Sequence, residues 1–184
     1  MKIGIISDTH GNLDAVKKSL EFIGDSDIIV HAGDVLYHPP RLGFTEGYDL
    51  PATAELFNNL TIPLVISQGN CDAQVYEELL TIPVQYPYAY VSFNNTGILA
   101  SHGHLFKKSE LIGIAQRFGA SYAITGHTHL PALKKEDGII LMNPGSPAIP
   151  KYEIDGCLMP SVGIVDDAGA RIICINDGSV LMEI

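Results

Sequence analysis

Five histidines, three aspartates and one asparagine fall into five short polar groups, mostly beside glycine. The groups are Asp8-Thr9-His10, Gly33-Asp34, Gly69-Asn70-Cys71-Asp72, His102-Gly103-His104 and Gly126-His127-Thr128-His129. Carboxylate and neutral imidazole are ligands for Mn, Fe, Ni, Co and Zn, and no thiolate-rich cluster competes with them. One carboxylate can bridge two cations, and a pair ~3.5–4 Å apart is an arrangement suited to hydrolysis at phosphorus. Such a pair binds phosphate oxygens and lowers the pKa of a shared water toward neutrality. Each group taken alone is weak, because Asp, Asn and Gly also end strands in ordinary turns. The information lies in the ordered set, with glycine beside the polar residues letting backbone and ligand approach closely.

These groups need elements that deliver them to one place. Lys2 to Ser7 is an apolar run suited to a strand buried on both faces. Leu13, Val16, Leu20 and Ile23 have helical spacing and predict a helix from Asn12 to Ile23, stopped at Gly24. A second buried strand spans Asp27 to Asp34, a helix lies near Ala52 to Leu60, and a third strand runs from Pro63 to Asn70. This β-α-β-α-β order predicts parallel pairing. Ala89 to Phe93 and Gly97 to His102 flank Asn94-Asn95-Thr96 as a hairpin, followed by a helix from about Ser109 to Phe118. Six short strands then follow, divided in part by turns at Asp137-Gly138, Ala168-Gly169 and Asp177-Gly178, and suggest a mainly antiparallel sheet. Two facing sheets with helices outside would bury both sets, in a single domain over residues 1–184. Each polar group then follows a strand, and the carboxyl edge of such sheets is where ligands bind. Of the remaining histidines, His31 sits between Val30 and Ala32 as a structural residue, and His38 lies in the long Pro-, Gly- and Tyr-rich loop Leu36 to Pro51.

Composition narrows the function classes. Hydrophobic residues make up 46% and charged residues 17% of the 184, a globular balance. No apolar run is long enough to span a membrane, and the short apolar start does not suit a secretory signal, so a cytoplasmic location is expected. A net charge of −10 argues against stable nucleic-acid binding, which needs clustered Lys and Arg. Three cysteines without a C-x-x-C pair suit neither a disulfide framework nor a structural zinc site. Cys174 lies in an apolar run and is expected in the core.

The ordered set D-x-H, G-D, G-N-x-D, H-G-H and G-H-T-H resembles the calcineurin-like metallophosphoesterases. The Gly69-Asn70-Cys71-Asp72 version, with the EGYD stretch and Asn143-Pro144-Gly145-Ser146, is similar to the small bacterial and archaeal phosphodiesterases of the YfcE type. The resemblance implies a four-layer α/β/β/α sandwich of two mixed sheets with a dinuclear site at one edge. It also implies two divalent transition-metal ions, manganese foremost, with nickel, iron, cobalt or zinc compatible. Asp8, His10 and His129 would bind one cation, Asn70, His102 and His127 the other, and Asp34 would bridge them. The implied activity is hydrolysis of a small phosphodiester by a hydroxide activated at that site. A phosphomonoesterase with the same site, or a protein-binding scaffold on the same fold, is the alternative, and a homo-oligomer is left open. His104 lies outside the ligand pattern and is left with substrate contact, orientation of His102, or no role. Many family members carry histidine where Cys71 stands, acting on the leaving group or orienting substrate. A thiol is a poor substitute for that acid, so either the enzyme works without it or another group such as His38 supplies it, and Cys71 is a small half-buried residue or a catalytic candidate in its own right. His38 is the other candidate for the site rim, able to meet substrate.

Overall fold

The computed structural model describes residues 1–39 and 43–184. Its first strand, β1 (Lys2–Ile6), is buried in four of five residues, as an apolar run without alternation requires. Asn12 caps the next element by accepting the Ala15 N–H at 3.0 Å, and α1 (Leu13–Ile23) stops at Gly24. β2 (Ile28–His31), α2 (Leu50–Asn58) and β3 (Leu64–Ser67) follow, with Asp49 capping α2. A short 3-10 helix (Gln74–Glu78) leads to β4 (Val84–Gln85). The hairpin of β5 (Ala89–Phe93) and β6 (Thr96–Ala100) turns at Asn94 and Asn95, both at positive φ (47° and 62°), as a tight hairpin turn demands. Then come α3 (Lys108–Arg117), β7 (Tyr122–Ile124), β8 (Ala132–Glu136), β9 (Ile139–Asn143), the small pair β10 (Glu153–Ile154) and β11 (Cys157–Leu158), β12 (Ser161–Asp166), β13 (Gly169–Cys174) and β14 (Val180–Glu183).

Seven strands form one sheet in the order β14-β13-β12-β1-β2-β3-β4, and five form a second in the order β5-β6-β7-β9-β8. Ile3, Ile5 and Val30 of the first sheet meet Ile98, Ile124 and Met142 of the second in a shared core. On the outer faces, Val16 and Phe57 of α1 and α2 cover the first sheet, and Leu111 and Ala115 of α3 cover the second. The architecture is therefore the expected α/β/β/α sandwich of two mixed sheets. Cys174 is in the core, Cys157 is exposed on β11 and Cys71 is half-buried.

One expectation is corrected. The strands after β6 do not make a single, mainly antiparallel sheet. α3 is a crossover that brings β7 parallel to β6, and β7 also pairs in parallel with β9. β12, β13 and β14 instead extend the first sheet antiparallel to β1. The reason is burial. The first five residues of β12 are buried, and its side chains enter both the inter-sheet core and the α1-covered face, so it must lie inside a sheet covered on both sides. The loop expected from Leu36 to Pro51 is shorter, since α2 begins at Leu50. Residues 40–42 of that loop lie outside the described residues. Among the described residues, no helix is long and apolar enough to cross a membrane.

Candidate metal centre

The loops after β1, β2, β3, β6 and β7 meet at one edge of the sandwich, and their backbone is unusual there. Asp8, His10, Asp34, His127 and His129 all have positive φ, at 55°, 47°, 58°, 67° and 61°. Such conformations are uncommon for residues with a Cβ and persist only where the surroundings over-determine them. Here they do. The Asp8 N–H donates to Gly33 O (2.9 Å), the His10 N–H to Asp34 O (3.0 Å), and the Gly126 N–H to His102 O (2.9 Å). Two glycines are needed for close approach. A Cβ on Gly69 would sit 2.1 Å from Asp34 Oδ1, and one on Gly126 would sit 1.9 Å from Ser7 Oγ.

Three imidazoles are fixed by acceptors that leave their tautomer no choice. His10 Nδ1 lies 2.7 Å from Tyr37 O, His102 Nδ1 2.8 Å from Ala32 O, and His129 Nδ1 2.6 Å from Ile149 O. A carbonyl only accepts, so each Nδ1 carries the proton and, in the neutral ring, each Nε2 a lone pair. Those lone pairs converge. His10 Nε2 and His129 Nε2 are 3.3 Å apart, and Asp8 Oδ1 is 3.3 Å from His129 Nε2 and 3.9 Å from His10 Nε2. Asp34 Oδ2 lies between two rings, 3.8 Å from His10 Nε2 and 3.2 Å from His102 Nε2. Despite that distance, buried His102 Nε2 has no partner in hydrogen-bond alignment. On the exposed side, His127 Nδ1 meets Asn70 Oδ1 at 2.7 Å. Electron-rich atoms crowded in this way, with a buried one unpartnered, fit divalent cations, and the donor types are those transition metals accept. All seven expected ligand residues are brought together.

The electrostatics set His102 apart, as the ring that sheds a proton before its Nε2 can ligate. Burial pulls the His102 pKa down, but neighbouring Asp34 and Asp8 carry it up to about 9. Burial pushes the Asp34 carboxyl up, but His102, the Cys71 N–H at 2.8 Å and His10 hold it well below the usual range. Burial keeps His10 below its ordinary value. Burial, then the charge of His102, does the same for His127 and His104.

The remaining candidates separate. His104 is exposed and its ring packs edge-on against His102 at 5.5 Å, but the Ala32 carbonyl, not His104, orients His102. His38 is half-buried among Tyr37, Phe44 and Tyr48 and belongs to none of the donor clusters. Cys71 Sγ lies within 4.8 Å of donors on His10 and Asp34, and burial, then Asp34, pushes the thiol pKa up to about 12. His31 is structural: Nε2 donates to Thr9 Oγ1 (2.9 Å), which donates to Val35 O, and Nδ1 accepts the Gly33 N–H. Complete burial lowers its pKa to about 3.

Sequence reasoning gave no role to the residues that hold the ligands. Buried Asp72 accepts three backbone N–H groups at 2.8 Å each, from Asp34, Val35 and Gly69, and so ties the β2 loop to the β3 loop. Asn143 Nδ2 donates to Gly126 O, and Ser146 Oγ donates to Asp8 O, bracing the β7 and β1 loops. The only advance signal was their place within the G-N-x-D and N-P-G-S stretches.

The chain matches the calcineurin-like phosphoesterase superfamily domain over residues 1–162. It is 34% identical to the phosphodiesterase YfcE of Escherichia coli strain K12, over all of this chain and 97% of that one. The YfcE structure, described as a phosphoesterase, superposes with a TM-score of 0.85 at 31% identity, covering 100% of this chain and 98% of that one. An archaeal phosphodiesterase structure superposes with a TM-score of 0.71 at 25% identity, covering 95% and 99%. The zinc-complexed Vps29 of Entamoeba histolytica shares the fold at 19% identity, with a TM-score of 0.63 over 100% and 98% of the two chains. On the match to the superfamily domain and the full-length identity to YfcE, the chain belongs to the calcineurin-like phosphoesterase superfamily and is a metal-dependent phosphoesterase.

Proposed function

We propose that the chain hydrolyses phosphodiesters at a dinuclear site. Asp8, His10 and His129 hold one cation, Asn70, His102 and His127 the other, and Asp34 bridges them. The observation that carries this reading is the convergence of the Nε2 atoms of His10 and His129 on Asp8 Oδ1, beside an unpartnered His102 Nε2. Asp34 suits the bridge because one of its oxygens lies within 4 Å of a ring from each half of the site. When bound, the cations supply positive charge for the phosphate oxygens and acidify water. The protein's own part is to fix the donors. Carbonyls orient three rings, and Asp72, Asn143 and Ser146 immobilise the loops that carry them. Manganese is our first choice of metal.

The preference for diesters draws support from the full-length likeness to YfcE. The scaffold alternative is disfavoured because every ligand position is filled. The experiment is removal of metal with a chelator, followed by assay of bis(p-nitrophenyl) phosphate and p-nitrophenyl phosphate with Mn²⁺ or Ni²⁺ restored. We expect up to two ions per chain in the purified protein, loss of hydrolysis on chelation, recovery with metal, and faster turnover of the diester. Full activity in metal-free protein refutes the site, and a monoester preference refutes the substrate class.

A further inference from the structure

Beside the metal centre is a cleft of about 320 Å³, lined by Tyr37, Asn70, Cys71, Ala73 and Tyr76. It joins the site through three of these residues. The Tyr37 carbonyl fixes His10, Asn70 Oδ1 meets His127 Nδ1, and the Cys71 N–H donates to Asp34 Oδ1. A group bonded to a phosphorus held at those ligands would therefore enter this cleft. Its walls are aromatic and amide rather than ionic. Tyr76 is buried, whereas Tyr37 is 37% exposed. The Tyr37 ring is braced by its neighbours Tyr76, at 6.3 Å, and His38, at 4.6 Å. The 6.3 Å separation is itself a single ring-to-ring spacing, so no third ring fits between Tyr37 and Tyr76. What is left to a ligand is the exposed surface of a ring already held in place, which loses little freedom when stacked upon.

We propose that this cleft is the specificity subsite for a planar, π-rich substituent of the phosphodiester, an aryl group or nucleobase, with Tyr37 as the residue that selects it. The proposal rests on the phosphodiesterase reading above. Stacking on one aromatic ring is worth roughly tenfold or more in affinity.

The test keeps the leaving group constant, so that chemistry is not confused with recognition. p-Nitrophenyl diesters carrying methyl, phenyl or thymidine-5′ as the second substituent are assayed with wild type, Tyr37→Ala and Tyr37→Phe. We expect kcat/KM to favour phenyl and thymidine over methyl by about tenfold or more in wild type. That ratio should fall to within about twofold in Tyr37→Ala and persist in Tyr37→Phe. A ratio unchanged by Tyr37→Ala overturns the subsite while leaving the phosphodiesterase reading standing. Calorimetric titration of Mn²⁺-reconstituted protein with monomethyl phenylphosphonate and with dimethyl phosphate supplies the second readout. Tighter phenyl binding that depends on Tyr37 supports the subsite even if no diester is hydrolysed, in which case the hydrolytic reading alone fails. Equal binding of the two anions overturns it.

Discussion

Asp72 carries no metal in this scheme, yet removing it should damage the site. Its two oxygens take the N–H groups of Asp34, Val35 and Gly69, and the residue is 8% exposed. Burial raises its pKa, with the three donors opposing, so the charge itself is not the source of stability. The cost of Asp72→Ala comes from stranded donors. At about 1–3 kcal/mol each, three of them bound the loss at roughly 3–9 kcal/mol. Relief of the buried charge and local relaxation offset part, leaving about 3–4 kcal/mol. Asp72→Asn keeps one oxygen for the Asp34 and Gly69 donors but turns its NH₂ toward the Val35 N–H, a loss of about 1–2 kcal/mol. For a chain of this size these losses lower Tm by roughly 6–16 °C and 2–8 °C respectively. Thermal unfolding is measured in chelator, so that differences in bound metal do not mask the intrinsic change. Metal titration should then show weakened uptake in Asp72→Ala, where Asp34 loses its backbone anchor, and a smaller change in Asp72→Asn, which keeps that anchor. Asp72→Ala within about 1 kcal/mol of wild type, or Asn costing more than Ala, refutes the reasoning.

Three further outcomes follow from the same geometry. Asp34→Asn should lower occupancy of both cation sites whereas His129→Ala should mainly empty one, and metal analysis showing equal loss of both in both variants refutes the division of ligands. In metal-free protein His102 keeps its proton to about pH 9, so cation uptake displaces that proton and affinity should climb with pH up to about 9. Its elevated pKa stabilises the metal-free fold fully below about pH 6.5 and loses that contribution as pH rises through about 9; an affinity that levels off near pH 7 contradicts this. With Cys71 as a poorly acidic thiol, rates on aryl diesters should fall steeply as leaving-group pKa rises. Cys71→His should flatten the slope, since a general acid is worth about 10²–10⁴-fold. A shallow slope in wild type would assign the acid to another group, and loss of activity in Cys71→Ala would give the thiol a role.

Much of the layer structure was legible because burial on both faces writes itself into sequence. β1, β2 and the helix stop at Gly24 could be read from apolar runs and spacing alone. Sheet membership in the second half could not. β8 and β12 are both short strands in sequence, yet β12 is buried on both faces and joins β1, while β8 is an edge strand with no fully buried residue. Local pattern carries the period of a strand but not which neighbour completes its hydrogen bonds, and that choice is made by the crossover through α3 and by inter-sheet packing.

The site divides along a similar line. Ligands were legible because their chemistry is rare and they recur at strand exits. The residues that hold them were not, because Asp72, Asn143 and Ser146 do with side chains what turns everywhere do: they accept or donate to nearby backbone. Their importance appears only when the backbone they hold is seen to be strained. Five of the seven proposed ligands sit at positive φ, each a conformation costing of the order of 1–3 kcal/mol for a residue with a Cβ. A chain keeps such strain only where the side chain, and not a glycine, is required at that spot. Asp34 shows how it is held. Its N–H is tied to Asp72, its carbonyl to the His10 N–H, and its Oδ1 to the Cys71 N–H. That leaves Oδ2 as the oxygen facing His10 and His102, the one through which the proposed bridge would reach both cations.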